Sequence, residues 1–137
     1  MASSDVSKSL AAQPGTTVIR WILAILFVMT LVMKLAIPML GDAFSGQLAA
    51  ANIPFQTLSR WSVPVVEVAV GVLLALNVFT RYVAVVVIGI MAVATFVHLV
   101  VDDPSLFPLQ PTEPVIPIVV ILMSLYLVWD IVRDPMP

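Results

Sequence analysis

Four apolar segments of membrane-crossing length divide this chain of 137 residues. A helix needs about 20 mostly apolar residues to cross the hydrocarbon core of a bilayer. Hydrophobic residues make up 61% of the chain and charged residues 10%, whereas about a quarter of a soluble domain is charged. The sequence therefore predicts an all-α membrane protein, built as a four-transmembrane-helix bundle. The predicted spans cover about 17–39, 62–80, 82–101 and 115–132.

Polar and proline-rich stretches separate the apolar segments. Residues 1–16 are polar and rich in serine, which predicts a disordered N-terminal tail before a four-helix domain over 17–133. The first connection, over 40–61, is weakly apolar and favours a short helix along the membrane surface. The second connection is reduced to Thr80-Arg81, so the second and third helices must be antiparallel neighbours. Prolines in the third connection predict an extended, rigid loop.

Basic residues lie mainly at one end of the predicted bundle. Cytoplasmic flanks of membrane helices carry an excess of lysine and arginine. With the N-terminus in the cytoplasm, Arg60 is the basic residue that falls outside, and the others flanking the spans fall inside. The sequence therefore predicts that the N- and C-termini are both cytoplasmic. The residues on the predicted inner side are Lys8, Arg20, Arg81 and Arg133.

Composition excludes several classes of function. The net charge is −2 and no basic patch could neutralise phosphates, so no nucleic-acid partner is expected. The chain has no cysteine, one histidine and no side chains at metal-ligand spacing, so we expect no metal site and no intrinsic cofactor. No nucleophile motif or phosphate loop marks catalytic residues, which stay unassigned. The partner that this composition requires is the lipid membrane.

Three ionisable residues lie inside three different apolar segments: Lys34, Glu67 and His98. A charge in hydrocarbon is costly, so such residues usually face the bundle interior or a water-filled cavity. From the predicted helix ends and a rise of about 1.5 Å per residue, all three lie roughly 5–8 Å below the outer boundary. The sequence therefore predicts that they share one layer and form a ligand-binding or proton-handling site.

Structural explanations compete with this prediction. Lys34 could extend its amine to the outer headgroups, or form an ion pair with Glu67 that only fixes helix packing. His98 could make a structural hydrogen bond to a neighbouring helix. The fourth helix is expected to contribute no buried ionisable residue. Acidic residues near the outer end form either the mouth of a site or a solvated rim, and these candidates are Asp102, Asp103 and Glu113.

Short motifs occur in a fixed order along the first three segments. They are Lys34, Asn52-Ile53-Pro54-Phe55, Val66-Glu67-Val68 with Gly71, Phe79-Thr80-Arg81, and Thr95-Phe96-Val97-His98. In this order and spacing, the chain resembles the DoxX-like family over about residues 19–101. The resemblance implies a four-helix protein of the bacterial inner (plasma) membrane and carries over Lys34, Glu67 and His98 as site positions. Some members are subunits of a thiosulfate:quinone oxidoreductase, so quinone as a cofactor is also implied.

Three functions remain open at this stage, and with them the question of enzymatic activity. The first is an integral membrane subunit of a redox system, binding quinone or a small sulfur anion near the outer leaflet. There, Lys34 would hold the ligand, Glu67 and His98 would exchange protons, and a protein partner would carry the redox centre. The second is a non-catalytic membrane scaffold for a soluble oxidoreductase or another partner. The third is a small-solute carrier, which four short helices could form as a homo-oligomer.

Overall fold

The computed structural model describes residues 14–133, and helices are the regular secondary structure of this part of the chain. Four of its helices are long and apolar enough to cross a membrane, which confirms the predicted all-α bundle. The predicted tail lies outside the described residues, except that residues 14–16 belong to the first helix. The elements are α1 (Pro14–Ala36), α2 (Pro38–Ala50), α3 (Gln56–Ala75), α4 (Thr80–Val100), a 3₁₀ helix (Pro104–Leu106) and α5 (Val115–Arg133).

The first membrane helix ends before the predicted position near residue 39. Ile37 is extended, with φ −114° and ψ 102°, and Pro38 occupies the first turn of α2. Proline disfavours the helical conformation of the residue before it, so α1 stops at Ala36. The short helix predicted in the first connection is α2. The end of the bundle at which α2 and the 3₁₀ helix lie is called the α2 end below.

The turn between α3 and α4 differs from the prediction. It is formed by residues 76–79 rather than by Thr80-Arg81, and α3 begins near residue 56 rather than 62. Asn77 and Phe79 adopt left-handed conformations, with φ 56° and 52°. The Thr80 hydroxyl donates to Asn77 Oδ1 at 2.8 Å, which stabilises the start of α4. Both helices are therefore shifted toward the N-terminus relative to the predicted spans.

The helices pack most extensively as two pairs, α1 with α3 and α4 with α5. Gly71 permits the close approach of α1 and α3, because a Cβ there would lie 2.7 Å from Val28 Cγ2 and 3.2 Å from the Ala24 oxygen. One apolar core joins both pairs. Its buried members are Leu23, Ala24, Phe27, Val70, Leu74, Val83, Ala84, Val87, Val120 and Leu127.

A smaller apolar cluster closes the α2 end. Phe107, in the connection between α4 and α5, is buried there against the end of α4. The Gln47 amide of α2 donates to the Leu106 carbonyl, and the Leu106 side chain lies beside Gly46. The connection predicted to be extended therefore contains a 3₁₀ helix that is fastened to α2. The buried residues of this cluster are Ala51, Val97, Val101 and Phe107.

Candidate functional site

The structure brings two of the three predicted site residues into direct contact. Lys34 Nζ donates to both carboxylate oxygens of Glu67, at 2.8 Å and 3.0 Å. Glu67 lies one helical turn before Gly71, so the close approach of α1 and α3 positions the two side chains face to face. The Glu67 side chain is 6% exposed and that of Lys34 is 20% exposed. The ion pair is thus buried on the glutamate side and partly open on the lysine side.

The Lys34 ammonium has a further neighbour on α2. Its nitrogen lies 4.2 Å from the ring centroid of Phe44, within the range of a cation–π interaction. An ammonium group has three N–H donors, and two of them are directed at the Glu67 oxygens. The positive charge is therefore compensated by a carboxylate and an aromatic face, contributed by two different helices.

A groove of about 380 Å³ runs beside this ion pair, between α1, α2 and α3. Lys34 lines the groove, whereas Glu67 does not and lies behind the lysine. Most of the wall is apolar, and exposed side chains such as Leu35, Trp61 and Val65 border its opening. On a membrane protein, such exposed apolar side chains face lipid. The wall consists of Leu31, Lys34, Leu35, Gly41, Phe44, Arg60, Trp61, Pro64, Val65 and Val68.

His98 has different partners from the other two predicted residues. Its Nδ1 lies 2.8 Å from the Thr112 carbonyl oxygen, and its ring lies 4.4 Å from that of Phe107, centroid to centroid. Because a carbonyl only accepts, Nδ1 carries the proton, and when the ring is neutral its Nε2 is an acceptor. Within residues 14–133, no hydrogen bond or ion pair joins His98 to Lys34 or Glu67.

The predicted rim residues Asp102, Asp103 and Glu113 are all exposed in the connection between α4 and α5. Asp103 Oδ1 accepts hydrogen bonds from the Ser105 hydroxyl at 2.7 Å and from the Ser105 amide at 3.0 Å. These bonds, the hydroxyl bond foremost, lower the pKa of the Asp103 carboxyl below its ordinary value. Asp103 therefore caps the 3₁₀ helix.

The fourth membrane helix does contain a buried carboxylate, contrary to prediction. Asp130 is 9% exposed, and its Oδ2 accepts a hydrogen bond from the Thr16 hydroxyl of α1. One turn further along α1, the Arg20 guanidinium donates to the Leu74 and Ala75 carbonyls at the end of α3. The sequence contains a signal for this buried carboxylate, since Asp130 lies inside an apolar segment just as Lys34 does. Its position near the helix end made it resemble a solvated flank.

The fold and the buried ion pair together define a multi-pass helical membrane protein with a polar site at one end of its bundle. A sequence model of the DoxX family matches residues 15–99, which is more than half of the chain. The chain therefore belongs to the DoxX family, and the match includes Lys34, Glu67 and His98 but not α5. No curated protein and no solved structure matches the chain.

Proposed function

We propose that this protein is a membrane subunit of a redox system and that the groove beside Lys34 holds the head of a quinone. The observation that carries the proposal is the composition of the groove, whose wall is apolar and aromatic but includes two cations, Lys34 and Arg60. A quinone head is planar, has carbonyl acceptors and bears an apolar tail. Aromatic rings, N–H donors and a lipid-facing opening match these three properties.

Each residue of the site has a separate part in this proposal. Glu67 holds the Lys34 ammonium at the wall of the groove, which makes the glutamate a positioning residue. His98 presents Nε2 as a proton acceptor at the same end of the bundle, and imidazole is a side chain that proteins commonly use to exchange protons. A bound quinone would supply the two-electron chemistry. Since the chain has no cysteine, we propose that a protein partner carries the centre that delivers electrons.

We also propose where the protein is located and how it is oriented in the membrane. The asymmetry of basic residues supports cytoplasmic termini, and with that orientation the α2 end lies at the outer leaflet of a bacterial inner membrane. A small sulfur anion such as thiosulfate is the alternative ligand at this end. It is favoured by the charges beside the groove, because Lys34 and Arg60 outnumber Glu67 by one positive charge.

A scaffold function is the second candidate, and one observation favours it. The Lys34 and Glu67 charges satisfy each other, and within residues 14–133 no buried side-chain polar atom lacks a hydrogen-bond partner. A pair of this kind could serve helix packing alone. The protein would then hold a partner at the membrane without binding a small molecule.

Ligand-dependent thermal stability of the detergent-purified protein tests the proposal. Ubiquinone-1, thiosulfate and sulfite are each added to the native chain and to the charge-swapped variant Lys34→Glu/Glu67→Lys. The swap keeps an ion pair between α1 and α3 but removes the ammonium from its place beside the groove. A shift of the unfolding temperature in the native chain supports a ligand site, and its loss or retention in the swapped variant shows whether that site needs the Lys34 ammonium. An absence of any shift supports the scaffold function.

A further inference from the structure

We infer that Arg60, rather than Lys34, donates the hydrogen bond that holds the oxygen-bearing head of the groove ligand. This inference rests on the proposed function and assigns a specificity-determining residue within the same groove. Arg60 lies in the early turns of α3, and its side chain is exposed. It lines the groove together with Lys34.

Lys34 already has partners for its ammonium group. Two of its three N–H donors are bound to Glu67 at ordinary distances, and the Phe44 ring lies against the same nitrogen. A ligand that takes a hydrogen bond from the third donor must displace the Phe44 ring, and one that takes either of the other two must weaken a buried ion pair. Such a pair is costly to disturb, because the Glu67 carboxylate cannot reach water. Lys34 is therefore a poor donor to a further group.

Arg60, unlike Lys34, has no carboxylate partner among the described residues. Across residues 14–133, the ion pair found is Lys34–Glu67, and no carboxylate pairs with Arg60. The Arg60 guanidinium lies 5.7 Å from the ring centroid of Trp61, so its neighbour in the groove is an aromatic face. A guanidinium has five N–H donors, and a fork of parallel N–H groups suits an oxygen acceptor. The excess positive charge of the groove thus belongs to Arg60.

The backbone carbonyl of Arg60 also differs from that of an ordinary helical residue. Pro64 lies inside α3 and has no N–H, so it cannot donate to the carbonyl of Arg60 four residues earlier. This carbonyl lacks its usual helical partner beside the groove, which both Arg60 and Pro64 line. Arg60 therefore combines side-chain donors with a backbone acceptor. A quinone carbonyl can accept from the first, and the hydroxyl of the reduced quinol can donate to the second.

The test uses fluorescence of Trp61 in a Trp21→Phe/Trp129→Phe background, which leaves Trp61 as the single tryptophan. The full chain is placed in lipid nanodiscs and titrated with ubiquinone-1. Arg60→Gln is expected to raise the dissociation constant at least about tenfold, since a hydrogen bond from a charged donor is lost. Arg60→Lys keeps the charge but not the fork and should bind with intermediate affinity.

Arg133→Gln is the matched control. In the native chain Arg133 lies 5.1 Å from the ring centroid of Trp129, at the opposite end of the bundle, and in this background it lies beside the phenylalanine that replaces that tryptophan, away from the groove. The substitution Arg133→Gln removes the same charge as Arg60→Gln and should leave the affinity for ubiquinone-1 unchanged. Unfolding temperatures of all variants are measured in parallel, and because Arg60 is exposed, Arg60→Gln should unfold within a few degrees of its parent.

Three results separate this inference from the proposed function. Ubiquinone-1 binding that Arg60→Gln leaves unchanged overturns the inference and keeps the quinone site. In the second result, ubiquinone-1 does not bind, but brominated phosphatidylglycerol quenches Trp61 more than brominated phosphatidylcholine does. If Arg60→Gln abolishes this difference in quenching, the quinone function fails. In that case Arg60 binds the head group of an anionic lipid, and the inference that Arg60 holds an oxygen-bearing ligand stands. If ubiquinone-1 does not bind and the quenching of Trp61 by lipid does not depend on Arg60, both the inference and the proposed quinone function are refuted.

Discussion

Removing the two partners of the buried ion pair one at a time should have unequal effects on stability. In Lys34→Met, the Glu67 carboxylate loses both of its hydrogen bonds in a place where its side chain is 6% exposed. An uncompensated buried charge costs about 3–5 kcal/mol in the free energy of unfolding. In Glu67→Leu, the Lys34 amine is 20% exposed and keeps the Phe44 ring, so it can turn toward the groove. The expected cost is then about 1–3 kcal/mol.

The double variant Lys34→Met/Glu67→Leu completes this prediction. Replacing both partners by apolar side chains leaves no buried charge, so its unfolding free energy should lie within about 1 kcal/mol of the native value or above it. Reversible unfolding by sodium dodecyl sulfate in mixed micelles, followed by circular dichroism, measures all four proteins. Equal costs for the two single variants, or a double variant as unstable as their sum, would refute the reasoning.

Further predictions address packing, the opposite end of the bundle and the rim. Gly71→Ala should lower the unfolding free energy by about 1–3 kcal/mol through overpacking, as measured by thermal unfolding. Gly89→Ala should have little effect, because nothing lies within 4 Å of a Cβ there. Thr16→Val should cost about 1–3 kcal/mol in the same assay, since Asp130 loses its hydroxyl donor while remaining buried. The lowered pKa of Asp103 means that its capping contribution is present above the ordinary carboxyl pKa and is lost as pH falls through the lowered value. The stability difference between the native chain and Asp103→Ala should therefore be constant from neutral to weakly acidic pH and vanish in stronger acid.

Each of these expectations has a result that contradicts it. Equal stability of the two alanine variants at Gly71 and Gly89 would mean that α1 and α3 separate without cost. An unchanged Thr16→Val variant would mean that Asp130 is hydrated from the nearby helix end. A difference at Asp103 that persists in strong acid would mean that the carboxylate is not the group that caps the 3₁₀ helix.

The bundle was predictable from the sequence because lipid requires long apolar helices, and the chain contains four of them. Helix ends were less predictable, as the region around α3 shows. Its first two turns include the polar residues Gln56, Thr57 and Arg60, which an apolar pattern does not count as membrane helix. The turn after α3 has no glycine or proline and depends instead on the left-handed residues Asn77 and Phe79. Nothing in the local composition marks that conformation.

The site was predicted in part. The cost of a buried charge pointed to Lys34 and Glu67, and their contact follows from the packing of α1 against α3. The partners of His98 were not predictable in this way, because Thr112 and Phe107 lie in a connection whose path depends on tertiary contacts. Arg60 was treated as an outer flanking charge. Its place in the groove follows from an α3 that begins earlier than the apolar pattern indicates.

The order of the two charges along the chain has a consequence for insertion during synthesis. Lys34 leaves the ribosome 33 residues before Glu67. At a translation rate of about 5–20 residues per second, the lysine waits roughly 2–7 s for its partner. It lies near the end of α1 and has a long stem, so its amine can reach the headgroup layer while it waits. The side chain of Glu67 is shorter and could not reach the headgroup layer in this way. It enters the translocon only when the Lys34 cation is already in place.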